Sequence, residues 1–156
     1  MTFLSKLLEH IIHNRLTTHL NSFPSLSPFQ SAYRKFHSVE TALLFIQNDL
    51  LLSVDKRQVT ALILLDLSAA FDTIDHNILL TRLSSTFGIC GPALDLLTSY
   101  LTDRHQFVCI DSDSSDLASL PTGVPQGSVL GPLLFTLYTT PLSYLLQNAA
   151  MSFHFY

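Results

Sequence analysis

Leu4, Leu7, Leu8, Ile11, Ile12, Arg15, Leu16 and Leu20 recur at three- and four-residue intervals, the spacing of one face of a helix. The pattern predicts an amphipathic helix that ends before Pro24. Further helices are announced by their punctuation. Ser38 with Thr41 opens one that runs to roughly Leu52, Asp75 caps one carrying Ile78, Leu79 and Leu83, and Gly91-Pro92 start one that reaches about Leu101. A long apolar helix is predicted from near Ser128 towards Gln147. Between these lies Val59 to Leu65, nearly all apolar and partly β-branched, which reads as a strand buried on both faces, although so short a run also fits a buried helical segment. His105 to Ile110 and Leu117 to Leu120 flank an acidic turn, Asp111 to Asp116, and predict a hairpin. The chain has no internal repeat, low-complexity tract or linker, so its organisation is that of one domain or less.

Two segments carry candidate chemistry. Leu64-Leu65-Asp66-Leu67-Ser68-Ala69-Ala70-Phe71-Asp72 sets a carboxylate at the exit of the apolar run. Burying a lone ionised carboxylate is costly unless it is paired or metal-bound, so Asp66 is a candidate ligand for a hard cation; the bland alternative is a helix cap or a solvated turn. The second segment is Gly123-Val124-Pro125-Gln126-Gly127-Ser128-Val129-Leu130-Gly131-Pro132-Leu133-Leu134-Phe135. Its glycines permit a close backbone approach to a ligand, and Gln126 offers an amide with both donor and acceptor, as a substrate-contacting loop needs. Here the alternative is a proline-rich turn with Ser128 as helix N-cap.

Together the segments resemble the reverse transcriptases of non-long-terminal-repeat, LINE-type retrotransposons. The family's first motif, an aspartate followed after four residues by Phe or Tyr, stands here as Asp66 to Phe71 and continues Asp72-Thr73-Ile74-Asp75-His76; its Gly-Val-Pro-Gln-Gly-Ser motif is Gly123 to Ser128. Ser27-Pro28-Phe29-Gln30-Ser31-Ala32-Tyr33-Arg34 with His37-Ser38-Val39-Glu40-Thr41-Ala42 resembles the finger-to-palm connection, with Ala32 and Lys35-Phe36 where relatives usually carry Gly and Pro-Gly. The resemblance implies an α+β fold: a partial palm with part of the fingers of the right-hand polymerase fold, helices packed on an antiparallel sheet, about 1–55 on the fingers side and about 56–156 in the palm.

It also implies roles. Asp66 would bind the Mg2+ ions of two-metal nucleotidyl transfer, Phe71 would act as a steric gate against a 2′-hydroxyl, Gln126 and Gly127 would contact the incoming nucleotide, and Arg34 and Lys35 would lie along the template. The implied partners are an RNA template, a DNA primer and dNTP. Asp72 and Asp75 are read as structural, an ion-pair partner and a helix cap. In the family a strand ending Phe-His-x-Tyr leads into Ala-Asp-Asp, whereas this sequence ends Ser152-Phe153-His154-Phe155-Tyr156, and Met1-Thr2 stand where relatives have an Arg-Pro-Ile-Ser segment. The expectation is therefore a fragment that is inactive alone, since one aspartate cannot clamp two ions about 4 Å apart. The rival reading is a non-catalytic relic that at most binds nucleic acid or protein.

Composition narrows the classes. The 156 residues are 47% hydrophobic and 13% charged, apolar-rich for a small soluble domain. A net charge of −4 with eight scattered basic residues argues against strong autonomous nucleic-acid binding. Cys90 and Cys109 have no metal spacing and are read as small buried hydrophobes in a reducing interior. The uncharged stretch Val129 to Leu146 is long enough to span a bilayer, but Gly131, Pro132 and Pro141 interrupt it, and no flanking basic residues or aromatic belt accompany it. Glu9, His10 and His13 within the first helix argue against a secretory signal, so the expected location is intracellular, cytoplasm or nucleus, without membrane attachment. His10 and His13 are read as surface residues, and the acidic turn lacks the ligand spacing of a calcium loop.

Overall fold

The computed structural model describes residues 3–22 and 27–156. Helix α1 covers Phe3–Asn21, and the approach to Pro24 lies outside the described residues. α2 (Val39–Asp55) starts on a capping box. Thr41 N donates to Ser38 Oγ at 3.3 Å and Ser38 N donates to Thr41 Oγ1 at 2.9 Å, so two otherwise orphaned amides are satisfied reciprocally. α3 (His76–Ser85) is capped by Asp75, whose carboxylate accepts from Ile78 N at 2.9 Å. α4 (Pro92–Leu101) has Pro92 in its first turn, where the missing N–H costs nothing.

Beyond Gly131 the structure departs from the sequence reading. The single long helix is two, α5 (Gly131–Thr139) and α6 (Pro141–Asn148). Pro141 has no N–H to continue the hydrogen-bond ladder of α5, so it serves instead as the first residue of a new helix, where no partner for that N–H is needed.

The hairpin is present as a ribbon of short ladders. β1 (His105–Gln106) pairs antiparallel with β4 (Ala118–Ser119), and within that pair β2 (Cys109–Ile110) is antiparallel to β3 (Asp113–Ser114). The acidic turn is thus partly strand. All eight strand residues are exposed, so among the described residues no helix packs on a sheet face. The class is α+β.

The apolar run Val59 to Leu65 is neither strand nor buried. It has no regular structure, and Ile63, Leu64 and Leu65 are 74%, 80% and 86% exposed. Among the described residues no strand pairs with it, and an apolar segment is buried only where another element covers it.

The chain divides into two compact units, one of residues 1–25 and 69–138, the other of residues 26–68 and 139–156. In the first, Leu16 and Leu20 of α1, Leu79 and Leu83 of α3, Leu97 and Leu101 of α4, and Leu134 and Leu137 of α5 are buried together with Ile74, Phe87, Ile89, Val124 and Leu130. The N-terminal turns of α1 differ from expectation: Phe3, Leu4, Leu7, Leu8 and Ile11 are exposed, while Glu9 is buried. Cys90 and Cys109 are free and exposed, not buried, because Cys90 lies in the connection between buried Ile89 and the start of α4 and Cys109 sits on the exposed ribbon. The second unit is held by edge-to-face contacts of Phe29 with Phe45 and Phe153, at 5.8 and 5.2 Å between centroids, and by a parallel bridge between Gln30 and Phe155.

Candidate functional site

In the first unit the segment Phe71 to His76 is joined along its length to the segment from Thr122. Val124 N donates to Phe71 O at 2.9 Å and Gly123 N to Ile74 O at 2.8 Å, with an antiparallel bridge between Asp75 and Thr122. The buried imidazole of His76 adds a 2.7 Å hydrogen bond from its Nε2 to Gly123 O. Gly123 has φ +87°, and a Cβ there would stand 3.1 Å from Asp72 Cα and O and 3.2 Å from Phe71 O. Only glycine lets these two backbones lie so close. Gly127 has φ +72° with open space around it, so it serves the turn and not the packing.

The loop's exit is also fixed. Ser128 N donates to Pro125 O at 3.0 Å, and Ser128 Oγ accepts from Gly131 N, the first amide of α5, at 2.9 Å; with the helix starting at Gly131, Ser128 stands two residues ahead of the N-cap position. Glu9 reaches across from α1: one carboxylate oxygen accepts from Val129 N at 2.6 Å and from Leu130 N at 3.3 Å, and the residue is only 4% exposed. An acidic group there meets the positive end of α5 and satisfies amides that have no helical partner. Burial raises the Tyr100 hydroxyl above the ordinary tyrosine value, and the Glu9 charge contributes in the same direction.

Phe71 is half-buried and packs edge-to-face on Phe135, 5.5 Å between centroids. Gln126 is exposed at the loop tip, and its Nε2 donates to Asp72, 3.4 Å from Oδ1 and 3.3 Å from Oδ2. Asp72 therefore meets an amide where an ion-pair partner was expected. Asp75 is the helix cap it was read to be.

The second unit holds the remaining sequence candidates. Asp66 is exposed within the irregular run and not at a strand's exit. Arg34 Nη1 donates to Ser27 O at 3.3 Å and Gln30 O at 3.4 Å, and Lys35 Nζ sits 4.8 Å from the Phe36 ring centroid. Phe36 has φ 66° and Tyr33 φ 55°, so this loop adopts left-handed backbone without glycine. His154 Nε2 lies 2.8 Å from Ser31 Oγ; burial, with the charge of His37 adding to it, pulls its pKa below the usual histidine value. Among the described residues no three His, Cys, Asp or Glu side chains are grouped so as to hold a metal ion, so Asp66 by itself does not constitute a metal site. No helix among them is long and apolar enough to cross a membrane.

The family model for reverse transcriptase (RNA-dependent DNA polymerase) matches residues 1–156. The chain belongs to the reverse transcriptase family. Its curated relatives are of the LINE type. It is 32% identical over 142 residues, 91% of its length, to the probable RNA-directed DNA polymerase from transposon BS of Drosophila melanogaster, and covers 16% of that protein. Identity is again 32%, over 140 residues, to the RNA-directed DNA polymerase from mobile element jockey of Drosophila funebris, where 89% of the chain covers 15% of the relative. The probable polymerase from transposon X-element of Drosophila melanogaster is 32% identical over 136 residues, 87% of the chain and 15% of that protein.

In this reverse transcriptase segment, sequence reasoning missed the parts that Glu9 and His76 play and mistook that of Asp72. Glu9 was detectable: it lies seven and eleven residues before Leu16 and Leu20, in register with the buried stripe of α1. A carboxylate in that register demands a buried partner. Nothing local to His76 or Asp72 names a partner 47 or 54 residues away.

Proposed function

We propose that this chain is the nucleotide-facing segment of a LINE-type RNA-directed DNA polymerase, with about 1–55 on the fingers side and about 56–156 in the palm. The observation that carries the reading is the joining of Phe71–His76 to Gly123–Ser128, which holds the backbone of Phe71 against Val124, two residues before the exposed Gln126. Phe71 is the gate against a 2′-hydroxyl, its ring backed by Phe135; Gln126 and Gly127 face the nucleotide; Arg34 and Lys35 follow the nucleic acid. RNA template, DNA primer and dNTP are the partners, inside the cell. Asp66 is the ligand this segment contributes to the divalent ions, Mg2+ by family habit, and one carboxylate among the described residues makes no two-ion clamp.

Primer extension on an RNA template tests the reading. The 156 residues alone are expected to extend nothing, whereas the same segment completed with the flanking sequence of a jockey polymerase extends a primer with preference for deoxynucleotides. In that background Asp66→Ala lowers the rate at least about a thousandfold. Phe71→Ala relaxes the sugar preference. Synthesis undiminished by Asp66→Ala, or sugar discrimination untouched by Phe71→Ala, overturns the corresponding assignment.

A further inference from the structure

Gln126 carries an amide that, taken alone, can present either its oxygen or its nitrogen outward. Both oxygens of Asp72 lie 3.3 to 3.4 Å from Nε2. A carboxylate accepts hydrogen bonds and cannot donate them, so only the nitrogen-facing flip is compatible with this neighbour; the opposite flip sets three oxygens against one another. The backbones on either side of the contact are held close together. Asp72 N donates to Ala69 O at 2.9 Å, Val124 N is bonded to Phe71 O, and Gly123 lies directly against Asp72.

We propose that Asp72 is a positioning residue that fixes the amide of Gln126 with its nitrogen inward and its carbonyl oxygen outward. The carbonyl oxygen then faces a ligand as an acceptor, and what it recognises is a donor: a sugar hydroxyl or a base N–H, whereas a phosphate oxygen finds no partner in it. This deepens the nucleotide-facing reading and rests on it. Both residues are exposed, so water competes for the contact; the effect is one of orientation more than of stability.

The test uses the full chain with 15N-labelled glutamine. In the wild type the two side-chain amide protons of Gln126 are expected to differ in shift and exchange rate by more than those of the exposed Gln58, one being held by Asp72. Asp72→Asn keeps the shape of the side chain but supplies a donor as well as an acceptor, so the difference is expected to fall to that of Gln58, while Asp72→Glu retains the excess. Titration with dATP is then expected to weaken about threefold to tenfold in Asp72→Asn and in Gln126→Ala, with the double variant no worse than Gln126→Ala, and with tripolyphosphate binding unaffected. An unchanged Gln126 amide in Asp72→Asn overturns the proposal, as does an additive double variant. If the amide responds as stated and the wild type binds no dATP, the orientation stands and the nucleotide-facing reading falls.

Discussion

The two units of this chain differ in what holds them. In the first, α1, α3, α4 and α5 each bury leucines, and the loop after Thr122 is tied to Phe71–His76 by backbone bonds, a buried imidazole and a glycine with no room for a side chain. In the second, Ala42 is the one buried apolar residue among those described, aromatic rings touch at their edges, and the apolar run ahead of Asp66 is exposed. The contrast shows that hydrophobicity alone does not place a residue inside. Val59–Leu65 is at least as apolar as α5, yet only α5 has its leucines covered.

The largest expected effect breaks or confirms that contrast directly. Leu79→Ala, at a site with no exposed surface, is expected to lower the free energy of unfolding by about 2–5 kcal/mol, and Leu64→Ala to change it by less than about 0.5 kcal/mol. Urea titration measures both, and comparable losses at the two positions would abolish the distinction.

Next comes the seam itself. Gly123→Ala forces a Cβ against the backbone of Asp72 and Phe71 at positive φ, and is expected to cost about 2–3 kcal/mol; Gly127→Ala meets open space, and its cost is the backbone term of about 1 kcal/mol. Equal effects in the same titration would mean that the close approach at Gly123 is relaxed in solution.

A smaller change sharpens the picture of the second unit. Phe36 is 88% exposed and left-handed, so Phe36→Gly relieves strain while surrendering little burial; after the entropy glycine adds to the unfolded chain, a gain of about 0.5–1 kcal/mol is expected, read by thermal melting.

The smallest effect is a pH dependence confined to that unit. The pKa of His154 in the folded chain lies below its ordinary value of 6.5, so the unfolded chain binds a proton first. The stability that neutral His154 contributes is complete above pH 6.5 and is lost as pH falls through that value towards the lowered pKa. Hydrogen exchange at Ser31 and Phe155, whose amides bond to Phe155 O and Phe29 O, is expected to quicken over that range, and His154→Gln to remove the dependence. Protection in the first unit serves as the internal reference. A slope that survives in His154→Gln would assign it to another group.

Much of the local structure was legible because its causes are local. Ser38 with Thr41, Asp75 and Pro92 each mark a helix start through contacts within a few residues, and each helix begins where those residues place it. The hairpin followed from alternating runs around a polar turn. Pro141 was read as an interruption to a membrane span but not as the end of a helix, though a missing N–H acts the same way in both.

What the sequence by itself determined is family membership, the helix starts and the two motif segments, since these depend on residue identity and on neighbours close along the chain. Only the tertiary structure decided which apolar stretches are covered, that Glu9 serves the amides of Val129 and Leu130, and that Asp72 and His76 serve the loop from Gly123 to Gln126. Burial and hydrogen-bond partnership belong to pairs of surfaces, and the second member of each pair lies far along the chain, at a separation that no periodicity or capping rule spans.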